Sequence, residues 1–373
     1  MDLTIESITC WLVDIPTIRP HKLSMVTMGC QTMAIVKMRC AGGFDGWGEA
    51  TTIGGLSYGA ESPESIKSAI DTYLAPLLVG NTFSGPQPLA AAMQAVKGNN
   101  FAKSALETAF LDALGKALKV PVSTLLGGAL TDTLPVLWTL ASGDTQKDIA
   151  EARQLIEEGR HRAFKLKIGA RSVQEDLRHV LAIKSALGEA IPVHVDVNQA
   201  WDMATALEAI PRLYAGGITM CEQPVDCREI HHLTALSQRL SATILADEAV
   251  TDHRSGFALI NHGFCGAFAL KIAKAGGPAQ VLKVAHVAQS AGVELYGGTM
   301  LEGTIGTLAS LHAWSTVKLS RGTEMFGPLL LKDDIVTHPL EFRDGGVRLS
   351  GAPGLGIDVD EDKLRHYARN TGA

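Results

Sequence analysis

The sequence predicts an α/β chain in which a parallel sheet alternates with helices behind a smaller α+β unit. Three observations carry this. After residue 131, seven short apolar runs recur ("LPVLWTL", "AFKLKIG", "VHVDVNQ", "GITMCEQP", "ATILADEA", "AFALKIA" and "VELYGG"), most of them separated by helical stretches, and strands spaced by helices make parallel sheets. Before about residue 130 the order is instead three strands and then helices, an α+β arrangement. At 373 residues the chain also exceeds what one hydrophobic core usually supports, which predicts two domains. The strand spacing suits a closed barrel; an open doubly wound sheet is the alternative.

Residues 2 to 14, about 31 to 40 and 44 to 50 alternate as strands, with "GGFDG" as a hairpin-type turn. The polar stretch "TIRPHKLSM" between the first two strands and the Gly-rich "TTIGGLSYGAES" after the third are expected to be loops long enough to cover a site. "SPESIKSAIDTYLAPLLVG" carries helix start and stop signals. Two more helical stretches follow near 86 to 97 and 102 to 118, the second rich in alanine. The boundaries expected are 1–130 for the α+β unit and 131–339 for the sheet domain. The tail, about 340–373, is expected to be a hairpin and a short helix, with a return to the first domain left open.

A net charge of −6 supplies no basic field, which argues against nucleic acid and anionic membrane as partners. No run of about 18 apolar residues predicts a membrane span, and the amino terminus alternates like a strand rather than a signal peptide. The six cysteines, Cys10, Cys30, Cys40, Cys221, Cys227 and Cys265, show no CxxC spacing. They are expected to be reduced core or near-core thiols in a cytoplasmic protein.

Polar residues recur at successive strand ends: Lys167, Asp196, Glu222, Asp247 and Lys271, at intervals of 29, 26, 25 and 24 residues by subtraction. In a barrel these positions stand side by side at the carboxyl ends of the strands, where active sites of this architecture lie. Three converging carboxylates need a cation, and oxygen-only ligands select a hard divalent metal such as Mn²⁺ or Mg²⁺; caps of the following helices are the bland alternative. Parity supports the first reading. In "VHVDVNQ" the valines share one face and His194, Asp196 and Asn198 the other, which places Asn198 near the metal and His194 deeper, as a hydrogen-bonded core histidine. The same parity turns Lys165 and Lys167 inward, with Lys167 nearer the mouth as the acid/base and Lys165 tuning it. Lys271 faces it from across the barrel. Lys274, of the other parity, is expected to be a surface or packing residue, and His231 and His232 an exposed helix start. The chemistry such a set serves is proton transfer beside a metal-polarised carboxylate.

The KxK of "FKLKIG", the DVNQAW of "VHVDVNQAW", and the "CEQP", "LADEA" and "LKIAKAGG" segments together resemble the enolase superfamily, muconate-lactonizing subgroup, over the whole chain. The resemblance implies a (β/α)7β TIM-like barrel with an N-terminal α+β capping domain. It implies Asp196, Glu222 and Asp247 as ligands of Mn²⁺, with Mg²⁺ as the substitute, Lys167 as acid/base, Lys271 as its electrostatic counterpart and Glu324 as a proton donor. Without the resemblance, Glu324 is only a polar residue near the mouth with a structural role equally open. "PTIRPHKLSM", "TTIGGLSYG", "WTLASGDT", "GGTMLEGTIGTLAS" and "TEMFGPLLL" are similar to the branch acting on unsubstituted muconate, whose chloromuconate relatives tend to differ at the positions of Ile53, Tyr58 and Phe326. The implied reaction is reversible cycloisomerisation of the dicarboxylate cis,cis-muconate to muconolactone in catechol (β-ketoadipate) degradation, by a homo-octamer. His21, Lys22, Ile53 and Tyr58 fall on the two first-domain loops expected to select substrate by shape and charge. The alternatives are a chloromuconate enzyme or another superfamily member such as o-succinylbenzoate synthase, a Schiff-base lyase using Lys167 or Lys271, and a non-catalytic metal protein.

Overall fold

The computed structural model describes residues 2–369; residues 370–373 of the predicted tail lie outside the described residues. The first unit is a four-stranded antiparallel sheet in the order Phe44–Thr51, Thr27–Cys40, Leu3–Lys22 and Thr82–Phe83. Its first strand is longer than predicted. "TIRPHK", expected to be loop, continues the strand to Lys22, and only residues 23–26 make the turn. The pairing slips between Pro16 and His21, an irregularity that seats Pro20, which has no N–H to give the ladder.

Behind this sheet lie three helical regions. The stretch predicted as one helix is Pro63–Ala69, a π-turn segment Ile70–Leu74 and Ala75–Leu78. Pro86–Met93 follows, and then Asn100–Leu118, which is buried from Phe101 to Gly115. Two glycines explain how closely that last helix lies on the sheet. A Cβ on Gly46 would stand 1.9 Å from Ala109 O, and one on Gly48 1.9 Å from Ala105 O.

The second unit is a parallel sheet of seven strands in sequence order: Trp138–Leu140, Phe164–Lys167, Val193–Asp196, Met220–Glu222, Thr243–Ala246, Ala267–Leu270 and Glu294–Gly297. Residues 322–324 close it. Thr323 bridges Gly297 on one side and Val136 on the other, both in parallel, and Leu137 N–H donates to Thr323 O while Glu324 N–H donates to Gly297 O. The predicted strand "LPVLWTL" is two strands. Thr133–Pro135 leaves to pair with Gly346–Arg348 in a separate three-stranded sheet, and only Trp138–Leu140 joins the barrel. The tail helix Glu361–Tyr367 is followed by a return to the first sheet, where Ala368 bridges Val13 and Arg369 pairs with Asp14 and Glu64.

Two carboxylates of the first unit fasten it to barrel helices. Glu49 accepts the N–H groups of Gly303 (2.6 Å) and Gly306 (2.8 Å) at the start of Thr304–Trp314. Glu107 accepts that of Ala279 (2.7 Å) at the start of Pro278–Ser290. A helix start has unpaired N–H groups and a positive dipole end, so each acid meets donors and favourable potential together. All six cysteines are free; Cys10, Cys40 and Cys221 are buried, but Cys30 and Cys265 are exposed rather than near-core as expected.

Candidate active site

The strand ends place the chemistry. Cross-strand register sets Lys165 beside His194, Lys167 beside Asp196, and Asp196 beside Glu222. Val193, Val195 and Val197 are buried in the apolar core, leaving Asp196 to face inward. Asp247 and Lys271 each follow directly on the last residue of a strand. In an eight-membered ring the strands carrying Lys167 and Lys271 stand opposite one another, and both residues line one pocket.

Each carboxylate meets a lysine. Lys167 Nζ lies 2.5 Å from Asp196 Oδ2. Lys165, completely buried, bridges Glu222 and Glu324 at 2.5 Å each, with its ammonium 4.8 Å from the centre of the Tyr296 ring. Lys271 Nζ donates to Asp247 Oδ2 at 2.6 Å and to Tyr58 OH at 3.0 Å, and Tyr58 donates in turn to Asp247 Oδ2 at 2.9 Å. Burial pulls the Lys165 and Lys271 ammonium groups down, but Glu222 and Glu324 beside Lys165, and Asp247 beside Lys271, outweigh it and hold both above the ordinary lysine value. Glu222 is pushed well above the carboxylate range by burial and then by Asp196, against Lys165.

Lys274 is a correction. It is buried and donates to both Asp247 Oδ1 (2.6 Å) and Asp247 O (2.5 Å). Strand parity stops applying at Leu270, because Ile272–Ala275 is helical and residues three apart on a helix share a face. His194 Nδ1 is buried with no partner, not hydrogen-bonded as expected. His231 is exposed at the start of Ile230–Arg239, and His232 pairs with Glu229.

The pocket between lysines and acids has about 10 Å³ of free space, room for roughly one water. His21, Ile53, Tyr58, Asn198, Glu324 and Phe326 line it with the two lysines. Lys22 does not join them. It is exposed, because His21 and Lys22 sit on a strand, where neighbours face opposite ways, and His21 takes the inner side. Phe326 packs edge-on against Trp138, ring centres 5.2 Å apart. The sequence reading missed Thr139, Leu23, Thr299 and Leu301, which complete the lining, and Glu248, whose buried carboxyl accepts Asn198 Nδ2 at 3.3 Å and is pushed up to about 7 by burial, Asp247 and Asp196. Glu248 could have been found as the last acid of "ADE". The lining after the seventh strand has no periodic signal.

The acid set can be tested against a divalent cation. Among the described residues no three His, Cys, Asp or Glu side chains converge as a ready-made metal nest; Asp196, Glu222, Asp247 and Glu324 each turn an oxygen to a lysine. Yet Glu222 Oε1, Asn198 Oδ1 and Glu248 Oε2 are buried without partners, and Glu222 sits under excess negative charge. Unsatisfied oxygens with no nitrogen or sulfur donor among them fit a hard divalent ion.

A barrel with acids and lysines in register at its carboxyl end, under an α+β cap, defines an enzyme of the enolase type. The family models agree: residues 7–127 match the mandelate racemase / muconate lactonizing enzyme N-terminal domain, and residues 147–363 the enolase C-terminal domain-like family. The chain belongs to the mandelate racemase / muconate lactonizing enzyme family, which implies a divalent metal. It is 52% identical to muconate cycloisomerase 1 of Pseudomonas putida over 98% of both chains, and 45% identical to a chloromuconate cycloisomerase of the same species over 98% of this chain and 100% of the other. Among solved structures it is similar to muconate lactonizing enzyme from Pseudomonas fluorescens complexed with muconolactone, with 53% identity, a TM-score of 0.97 and coverage of 98% of this chain and 99% of that one.

Proposed function

We propose that this chain is a muconate cycloisomerase, converting cis,cis-muconate reversibly to muconolactone. The observation that carries the reading is the pocket in which Lys167 and Lys271 face one another across the acid row, walled by Ile53, Tyr58 and Phe326. Full-length identity to enzymes of that name supports it.

In the forward direction one substrate carboxylate oxygen bonds to a diene carbon and closes the lactone ring. The displaced electron pair moves through the conjugated carbons toward the other carboxylate, and Lys167 Nζ delivers a proton to the carbon beside that carboxylate. The reverse reaction runs the same steps backwards, with Lys167 as base. Lys271, held charged by Asp247 and oriented by Tyr58, is a fixed cation facing the developing negative charge. Lys165 ties Glu222 to Glu324 and so positions both. Asp196, Glu222 and Asp247 would hold the divalent ion, Mn²⁺ with Mg²⁺ as substitute. When bound, that ion neutralises the acids and polarises the substrate carboxylate.

The free space is too small for the substrate, so residues 52–60 must move for access and then close to exclude water. A homo-octameric assembly in the cytoplasm completes the reading; light scattering tests the assembly. Loss of muconate ultraviolet absorbance on incubation with the Mn²⁺-loaded protein tests the activity. Turnover of chloromuconates but not of muconate would move the assignment to the chloromuconate branch, and turnover of neither would overturn it.

A further inference from the structure

The barrel has a second cavity, at the end opposite the lysines and acids. It is a half-open cavity of about 240 Å³, lined by residues that precede or begin the strands, among them Leu137, Ala163, His194 and Thr323, with Arg162 and Arg321 at its rim. An apolar cluster separates it from the pocket above. That cluster runs from Leu137, which lines the cavity, to Tyr296, whose ring lies under Lys165.

Three polar features in this apolar setting lack full partners. His194 Nδ1 is buried and unpaired. Arg321 gives one edge to Glu294 and Thr243. Arg162 is exposed and has no carboxylate partner among the described residues. A guanidinium group presents a planar fork suited to a carboxylate, and a buried ring nitrogen without a partner is costly. On size, an engineered cavity of about 150 Å³ takes up benzene, so this one has room for a ring and a carboxylate.

We propose that this cavity binds a small organic carboxylate with a flat apolar body, the ring against Leu137 and Ala163 and the carboxylate toward Arg162 and Arg321. The site is separate from the pocket at the barrel mouth and needs no metal.

Benzoate is the probe. Calorimetric titration of the full chain, with and without saturating muconolactone, is expected to give one benzoate per chain with the same affinity in both. Benzyl alcohol, which keeps the ring and lacks the charge, should bind at least tenfold more weakly, and so should benzoate to Arg162→Ala and Arg162→Gln. Arg162 is exposed, so both variants should keep the wild-type melting temperature. No benzoate binding, displacement of benzoate by muconolactone, or wild-type benzoate affinity in the Arg162 variants would each overturn the proposal.

Discussion

Lys167 and Lys274 show what a single lysine contributes here. In the proposed reaction Lys167 alone moves the proton, and its partner Asp196 holds it 2.5 Å away at the edge of the pocket. Lys167→Ala is expected to lower kcat by about 10²- to 10⁴-fold, the usual worth of a positioned acid/base, and, because it leaves the buried Asp196 carboxylate without its ammonium partner, to lower the melting temperature as well. A kcat within threefold of wild type would remove Lys167 from the chemistry. Lys274 presents the opposite case. A surface lysine would tolerate Lys274→Met within about 0.5 kcal/mol, whereas breaking a buried pair costs roughly 3 to 5 kcal/mol. Lys274 is buried against Asp247, so a loss of about 3 kcal/mol in denaturant unfolding is expected; a loss below 0.5 would mean the contact contributes nothing. The two lysines also mark how far sequence patterning reaches. Period-two alternation placed Lys165, Lys167, Asp196 and Asn198 because they lie on or just past regular strands. It failed at Lys274 because the strand gives way to a helical turn after Leu270, and period alone does not show where one ends.

Between elements, the acids that cap helices across the domain boundary carry most of what the sequence hid. Glu49 lies on a strand edged by ordinary turn signals, and nothing near it in sequence shows that its partners are Gly303 and Gly306, more than 250 residues away. Likewise "TIRPHK" is polar and contains proline, so local chemistry indicates loop, and only pairing with Thr27–Cys40 makes it strand. Glu49 yields a pH prediction. Burial pushes its carboxyl up to about 8 against the two N–H donors, from an ordinary value of 4.5. An acid whose folded value is raised binds its proton more tightly when folded. Its burial is therefore best tolerated below about pH 4.5 and destabilises increasingly as pH rises to about 8. Glu49→Gln removes that titration but loses one acceptor oxygen, so wild type should be the more stable at about pH 5. The difference should shift in the variant's favour, by a few kcal/mol, by about pH 8. A wild-type-minus-variant difference in unfolding free energy that stays flat between these pH values would show that Glu49 keeps an ordinary value in the folded chain.

At the scale of the molecule, the barrel closes through three residues, 322–324, in a polar stretch with no strand-like pattern. Seven strands were legible as apolar runs, but the eighth position makes its hydrogen bonds without needing an apolar sequence. Closure matters because it brings Glu324 round to Lys165, completing a ring of charge drawn from both ends of the strand order. Within that ring Lys165, Lys167, Lys271 and Lys274 face Asp196, Glu222, Asp247, Glu248 and Glu324. With all groups ionised the lysines fall one charge short, and that shortfall adds to burial in raising the Glu222 and Glu248 carboxyls. A divalent cation held by these acids would reverse the sign of the ring and suit it to a dianionic substrate; without it the acids would repel one another at the centre of the molecule. A ligand held at about 100 times its dissociation constant stabilises a fold by about 2.7 kcal/mol. Treatment with EDTA followed by dialysis is therefore expected to abolish turnover and lower the melting temperature by only a few degrees, because the lysines still neutralise most of the acids. Added Mn²⁺ should restore both. Turnover that survives chelation would refute the metal assignment, and a collapse of the fold on chelation would show that the lysines compensate far less of the charge than the ion pairs imply.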